Sequence, residues 1–139
     1  MSRFQYITSG AGRALLALLF IIAGLMFFRS ADFAFAESVI AGHGLPFPRV
    51  LLVSTIILQL GCGVMMLVGW KAQSAAAVLL IWMIPATLLF HSFWAVPADQ
   101  VPNETFHFLK NIAIAGALLL VIGLANPASA KSGEERGEK

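Results

Sequence analysis

The sequence is poor in charge, and this excludes an ordinary soluble domain. Asp, Glu, Lys and Arg make up 12% of its 139 residues and hydrophobic residues 59%, whereas soluble domains carry about 25% charged and about 45–50% apolar residues. The formal net charge is +2, and basic residues are not interleaved with aromatic ones, so we expect no nucleic-acid partner. This composition is typical of an integral membrane protein, whose apolar side chains face lipid.

Cysteine is also scarce. Cys62 is the one cysteine, so the chain can form no internal disulfide and offers no set of thiolates for haem or an iron–sulfur cluster. The sequence also contains no glycine-rich loop of the kind that binds nucleotides or flavins. We therefore expect no redox cofactor of the chain's own and no metal site, and we interpret Cys62, which lies in an apolar run, as a packing residue.

Long apolar runs predict four membrane spans, because a span takes roughly 20 residues. We expect one membrane domain over residues 1–125, with spans at about 12–29, 49–70, 72–94 and 104–125. Residues 126–139 are polar and charged, and we predict that they form a disordered cytoplasmic tail.

The segment between the first two spans differs from the other loops. Residues 31–48 mix aromatic and acidic side chains and end in glycines and prolines, a pattern that indicates a short amphipathic helix at the membrane interface followed by a turn. The predicted fold is therefore all-α: a four-helix transmembrane bundle with a short interfacial helix between spans 1 and 2.

Basic residues predict the orientation of the bundle. Six of the nine fall on the side of the chain termini, and three fall on the opposite side, namely Arg29, Arg49 and Lys110. Lys and Arg are enriched in cytoplasmic loops, so both termini are predicted to be cytoplasmic. An even number of spans requires the same arrangement.

The polar side chains within the spans fall mainly at one level, at the outer ends of spans 3 and 4. Lys110 carries the highest free-energy cost of membrane insertion among them, because a charged residue costs roughly 2.5–3.5 kcal/mol at the centre of a span and less near the interface. The short loop between spans 3 and 4 predicts that they are antiparallel neighbours, so their polar faces can meet above the polar residue of span 2. The candidate ligand-binding residues are Gln59, His91, Trp94, His107, Lys110 and Asn111.

Hydrogen-bond donors beside aromatic walls favour an apolar ring with acceptor oxygens, and a quinone headgroup has this form. His91 and Lys110 are expected each to donate to a carbonyl, and a histidine can also carry a proton. A simpler interpretation stays open: Lys110 extends to the lipid headgroups or pairs with Glu104 or Asp99, and the histidines merely end helices.

Four motifs give the chain a resemblance to the DoxX family of small bacterial membrane proteins, and it covers roughly residues 13–125. They are Gly44-Leu45-Pro46; Gln59-Leu60-Gly61-Cys62-Gly63 with Gly69; Phe90-His91-Ser92-Phe93-Trp94; and Phe108-Leu109-Lys110-Asn111 with the apolar residues up to Gly116. The resemblance implies a four-helix bundle in the inner membrane. Some members resemble subunits of thiosulfate:quinone oxidoreductase, and others are linked to oxidative-stress defence with soluble partners. The family commonly has an acid where this chain has Gln59.

The leading hypothesis is a quinone- or lipophilic-ring-binding subunit of a membrane-associated redox or detoxification system. If the protein takes part in catalysis, we expect a quinone-linked oxidoreductase subunit, with no residue assigned as catalytic and quinone as the one candidate cofactor. The alternative is a non-catalytic scaffold whose small residues, Ala113, Gly116, Ala117 and Gly123, pack against another protein. Expected partners are the bilayer, a soluble or membrane redox protein, and a second copy of the chain.

Overall fold

The computed structural model describes residues 2–124, and within this range the chain is helical without a strand. The helices are α1 (Arg3–Met26), α2 (Ser30–Gly42), α3 (Pro48–Val68), α4 (Ala72–Phe90) and α5 (Val101–Gly123). All but α2 are long and apolar enough to cross a membrane, which confirms the predicted all-α fold with four spanning helices. The predicted tail, residues 126–139, lies outside the described residues.

Helix ends differ from the predicted span limits by four residues or more at two places, and by three or fewer elsewhere. α1 begins at Arg3, well before residue 12, because Ser2 and Gln5 form a reciprocal cap: each side chain bonds the other residue's backbone N–H, at 3.2 and 2.8 Å. α4 ends at Phe90, four residues before the predicted limit, because the backbone leaves the helical region at His91 (φ −125°, ψ 42°). Turn hydrogen bonds then follow, from Phe93 N–H to His91 O among others.

Small residues allow α1 and α3 to pack closely. A Cβ added at Gly63 would lie 2.7 Å from Ile21 Cγ1 and 3.3 Å from the Ala17 carbonyl oxygen, so a larger residue at this position would force the helices apart. α4 lies between α3 and α5. The buried core is shared by the four long helices and consists of Ala17, Phe20, Met66, Ala75, Ala76, Leu79, Met83, Leu118 and Val121.

The two ends of the bundle are named here for the segments that close them. At the Lys71 end, α3 turns sharply into α4. At the α2 end, α1 and α4 end and α3 and α5 begin. Two contacts hold α2 there: the Arg49 guanidinium donates to both Glu37 oxygens at 3.1 and 3.2 Å, and the His43 ring meets the Phe90 ring edge-on at 4.8 Å. Its location at a membrane interface stays a prediction.

Candidate functional site

A cavity of about 550 Å³ opens between the long helices at the α2 end. All five helices contribute to its lining, and α2 does so with Phe35, Ala36, Val39 and Ile40. Aromatic side chains from the other helices form much of its wall, namely Phe20, Phe27, Trp82 and Phe90. A few polar side chains interrupt this apolar wall, and they come from α3, from α5 and from the C-terminal end of α4.

Gln59 is, together with Thr87, a buried polar residue of this region. It lies near the middle of α3 and is 6% exposed, and its Oε1 is fully buried without a hydrogen-bond partner in residues 2–124. A buried acceptor left unpaired costs about 1–3 kcal/mol. Such groups are rare in native proteins, and Gln59 is therefore the least satisfied polar side chain that lines this cavity.

Two hydrogen bonds fix the walls around Gln59. Asn111 Nδ2 donates to Thr87 Oγ1 at 3.0 Å and so joins α5 to α4. Trp82 Nε1 donates to Thr55 Oγ1 at 3.3 Å and so joins α4 to α3. Because these bonds cross between helices, they hold the wall side chains in place before any ligand is bound.

His91 forms the most polar contact of the site. Its Nδ1 lies 2.9 Å from Glu104 Oε2, and both side chains are largely shielded, at 28% and 20% exposure. The His91 ring also stacks on the ring of His107, with centroids 5.1 Å apart and an angle of 23°. The Glu104 carboxylate and the His107 ring together fix the position of the His91 ring at the edge of the cavity.

Lys110 lies at the rim of the cavity, where it is an exposed residue that also lines the wall. Its ammonium donates to His107 Nδ1 at 3.3 Å. The ion pair with Glu104 or Asp99, one of the alternatives left open by the sequence, is not formed among residues 2–124; Glu104 contacts His91 instead. Its positive charge therefore borders the cavity without a carboxylate to neutralise it.

Four of the six predicted site residues line the same cavity: Gln59, His91, Lys110 and Asn111. His107 lies beside it and contacts His91 and Lys110. Trp94 does not belong to this set. Span 3 was predicted to extend to residue 94, but the helix ends at Phe90. Trp94 therefore lies outside the helix, is 58% exposed and packs edge-on against Phe93 and Phe108.

Sequence reasoning missed Glu104 as part of the site and considered it only as a partner of Lys110. A usable signal was present in the spacing. Glu104 precedes His107 by three residues in α5, and residues three apart share a helix face. The histidine faces of α4 and α5 were expected to meet, so a carboxylate on that same face was a candidate partner for His91.

Four spanning helices around a cavity with polar groups define a multi-pass helical membrane protein. The sequence model of the DoxX family matches residues 10–92. The chain belongs to the DoxX family, which confirms the resemblance drawn from its motifs. The matched region includes Gln59 and His91 and ends before α5, which carries Glu104 and Lys110.

Individual proteins that match the chain have low sequence identity to it. The chain is 24% identical over 127 residues to the inner membrane protein YphA of Escherichia coli, covering 87% of this chain and 91% of that protein. It is 32% identical over 84 residues to the Surfeit locus protein 4 homolog of Schizosaccharomyces pombe, covering 58% of this chain but 26% of that protein. No solved structure matches the chain.

Proposed function

We propose that the protein binds a quinone-like or other lipophilic ring in the cavity at the α2 end, as part of a membrane-associated redox or detoxification system. The observation that carries the proposal is the composition of this cavity. Its volume of about 550 Å³ falls in the range of small-molecule sites, about 300–1,000 Å³, which are mostly apolar with a few convergent polar groups. Gln59, His91, Lys110 and Asn111 are those groups here.

Each part of the wall has a role in this proposal. Aromatic side chains such as Phe90 and Trp82 cover the faces of the ring. The Lys110 ammonium donates to a ring oxygen at the rim, where no carboxylate competes for it among residues 2–124. Asn111, held by Thr87, and Gln59 meet the inner edge of the ring. A hydrocarbon tail on the ring would remain among the lipid chains that surround the helices.

The chain is proposed to bind the ring while a partner protein transfers the electrons. Its sequence offers no nucleotide loop and no cysteine set for a redox cofactor, so a soluble or membrane redox protein must supply one. We place the chain in the bacterial inner membrane, as the name of its E. coli relative suggests, with both termini cytoplasmic, the α2 end outward and α2 at the outer interface.

Thermal protection by a soluble quinone analogue tests the proposal. The analogue should raise the melting temperature of the wild type and should give Lys110→Met little or no protection, because the donor at the rim is lost. Lys71→Met is the matched control: it removes a lysine at the other end of the bundle and should keep the full protection. Equal protection of all three proteins, or of none, would contradict the proposal.

A scaffold role has one observation in its favour. The face of α5 that carries Ala113, Gly116 and Gly123 is exposed, and a Cβ added at either glycine would meet no atom within 4 Å. Small residues of this kind let a second helix approach closely in a membrane. Purification in mild detergent distinguishes the two roles: a stoichiometric protein partner that is lost on Gly116→Leu, together with no protection by the analogue, would favour the scaffold.

A further inference from the structure

We infer that a groove between α1 and α5 at the Lys71 end binds an anionic phospholipid, whose phosphate contacts Arg13 and whose acyl chain lies in the groove. This groove is separate from the cavity at the α2 end, so the inference does not depend on the proposed function. Three features support it: an open seam between two helices, a half-buried arginine at the seam, and unpaired positive charge at this end of the bundle.

The groove exists because α1 and α5 meet at few positions. α1 packs mainly on α3, and α5 packs mainly on α4, so the bundle is open between α1 and α5. The opening has a volume of about 470 Å³, which lies in the range of small-molecule sites, about 300–1,000 Å³. α5 contributes an apolar wall of Ala117, Leu120, Val121 and Leu124. In a membrane, this wall suits a hydrocarbon chain.

Arg13 provides the positive charge of the groove. It lines the groove and is half-buried, and its Nη1 donates to Met66 O at 2.6 Å, which fixes the guanidinium in place. The other guanidinium N–H groups have no acceptor, and no carboxylate pairs with them, among residues 2–124. A guanidinium with free N–H groups is well suited to phosphate, which it can bind through two parallel hydrogen bonds.

The other polar residues of the groove bring no competing negative charge. Gln5 Oε1 accepts from the Ser2 N–H at 2.8 Å, so the amide nitrogen of Gln5 is a further donor at the mouth of the groove. The hydroxyls of Thr8 and Ser9 donate to carbonyls of their own helix, at 2.9 and 3.1 Å. The groove therefore offers a cation and a neutral donor to a headgroup.

Charge is distributed unequally between the two ends of the bundle. The four acidic residues of the described range all lie at the α2 end: Asp32, Glu37, Asp99 and Glu104. The Lys71 end carries Arg3, Arg13 and Lys71 and no acid within residues 2–124. Each Lys or Arg near a membrane surface strengthens binding to anionic headgroups by about a factor of five. A second copy of the chain in the same orientation would instead place like charges side by side, so an anionic lipid fits the groove better.

Native mass spectrometry of the purified full chain in detergent tests the inference. The probes are phosphatidylglycerol, which is anionic, and phosphatidylcholine with the same acyl chains, which is neutral overall. We expect phosphatidylglycerol to bind about fivefold more tightly. Arg13→Gln should reduce this preference to about twofold or less, because the charge in the groove is lost. Arg3→Gln is the matched control, since it removes the same charge at the same end but outside the groove, and it should keep most of the preference.

A second pair of variants fills the groove without changing its charge. Gly12 lines the groove and Gly10 does not, and a Cβ added at either glycine would meet no atom within 4 Å. Gly12→Leu should weaken the binding of both lipids by about fourfold or more, because leucine displaces at least one buried methylene of the acyl chain. Gly10→Leu should bind both lipids as the wild type does.

Three results would overturn the inference. Equal binding of the two lipids by the wild type would show that the groove does not select an anion. An equal loss of preference in Arg3→Gln and Arg13→Gln would show that surface charge, and not the groove, attracts the lipid. A dimer that is lost on Gly12→Leu, with no phosphatidylglycerol bound, would assign the groove to a second copy. The wild-type preference and the glycine pair decide the matter even if Arg13→Gln does not fold.

Discussion

The two ends of the bundle use polar side chains in different ways. At the Lys71 end, polar groups complete helix ends: Arg13 Nη1 donates to Met66 O at 2.6 Å, and Gln73 Nε2 donates to the carbonyls of Ile122 and Leu124 at 3.2 and 2.7 Å. Met66 and Ile122 lie in the last turns of α3 and α5, Leu124 directly follows α5, and Met66 O also accepts from the Gly69 N–H at 3.3 Å. The polar residues of this end therefore have a structural role.

The polar side chains at the α2 end surround a cavity instead. Gln59 has a buried oxygen without a partner, and the Lys110 ammonium has no carboxylate in residues 2–124. The two glutamines therefore differ in hydrogen bonding. Gln73 Nε2 donates to two backbone carbonyls, whereas Gln59 Oε1 accepts no hydrogen bond from residues 2–124. The difference separates polar side chains that pair within the molecule from Gln59, whose buried oxygen does not.

The largest effect on stability is expected at the Lys71 end, from Gly69→Val. Gly69 has φ +80°, and a Cβ there would lie 2.6 Å from Arg13 Nη1, so valine adds backbone strain and displaces the arginine from Met66 O. We expect a loss of about 2–4 kcal/mol, seen as a lower melting temperature in detergent. Gly61→Val is the control on the same helix, because its Cβ would meet open space. Equal losses would show that neither the backbone strain at Gly69 nor the arginine contact contributes measurably.

The same substitution at the two glutamines should have opposite effects on stability. Gln73→Leu leaves two helix-end carbonyls without their donor and should destabilise the protein by about 1–2 kcal/mol. Gln59→Leu replaces an unpaired buried amide with an apolar side chain of similar size and should be neutral or stabilising by up to about 1 kcal/mol.

Melting temperatures of both variants without ligand provide the measurement for the glutamine pair. A strong destabilisation by Gln59→Leu would mean that the amide already has a partner in the molecule, such as an ordered water, and the comparison of the two ends would then fail. Thermal protection by the soluble quinone analogue is a second readout. Gln73→Leu should still be protected by the analogue, because Gln73 lies outside the cavity.

The smallest effect is expected from Arg49→Gln, which removes the contact between α3 and α2. The Arg49 side chain is 73% exposed, and exposed ion pairs contribute about 0–1 kcal/mol, so the melting temperature should change little. Hydrogen exchange of α2 should increase, because its ion pair with α3 is gone. Exchange that is as slow as in the wild type would show that packing against the cavity alone holds α2.

Much of the fold could be predicted because it depends on long apolar runs. The four spanning helices and the all-α class follow from hydropathy alone, and the meeting of the polar faces of α4 and α5 follows from their short connection. The start of α1 was also readable in principle, since Ser2 and Gln5 have the spacing of a reciprocal helix cap. Hydropathy did not predict this start, because the polar residues of the first turn do not lengthen an apolar run.

The details of the site depended on contacts that hydropathy does not encode. Trp94 was misplaced because the helix was assumed to continue through His91, where the backbone turns. Glu104 was assigned to the wrong partner because charge alone favours a lysine, whereas the position of each side chain in three dimensions favours the histidine. The contribution of α2 to the cavity wall was missed because a helix pattern shows which face is apolar and not what covers it.

Photolabelling can show whether the cavity at the α2 end holds a ring ligand. A photoreactive quinol or quinone analogue would be bound to the full chain in detergent, activated by light, and located by peptide mass spectrometry. The account predicts adducts on cavity-lining residues, such as Trp82 and Met83, that disappear when unlabelled hydroquinone is added. Adducts confined to lipid-facing residues such as Ile81 and Leu120, and unaffected by the competitor, would contradict it.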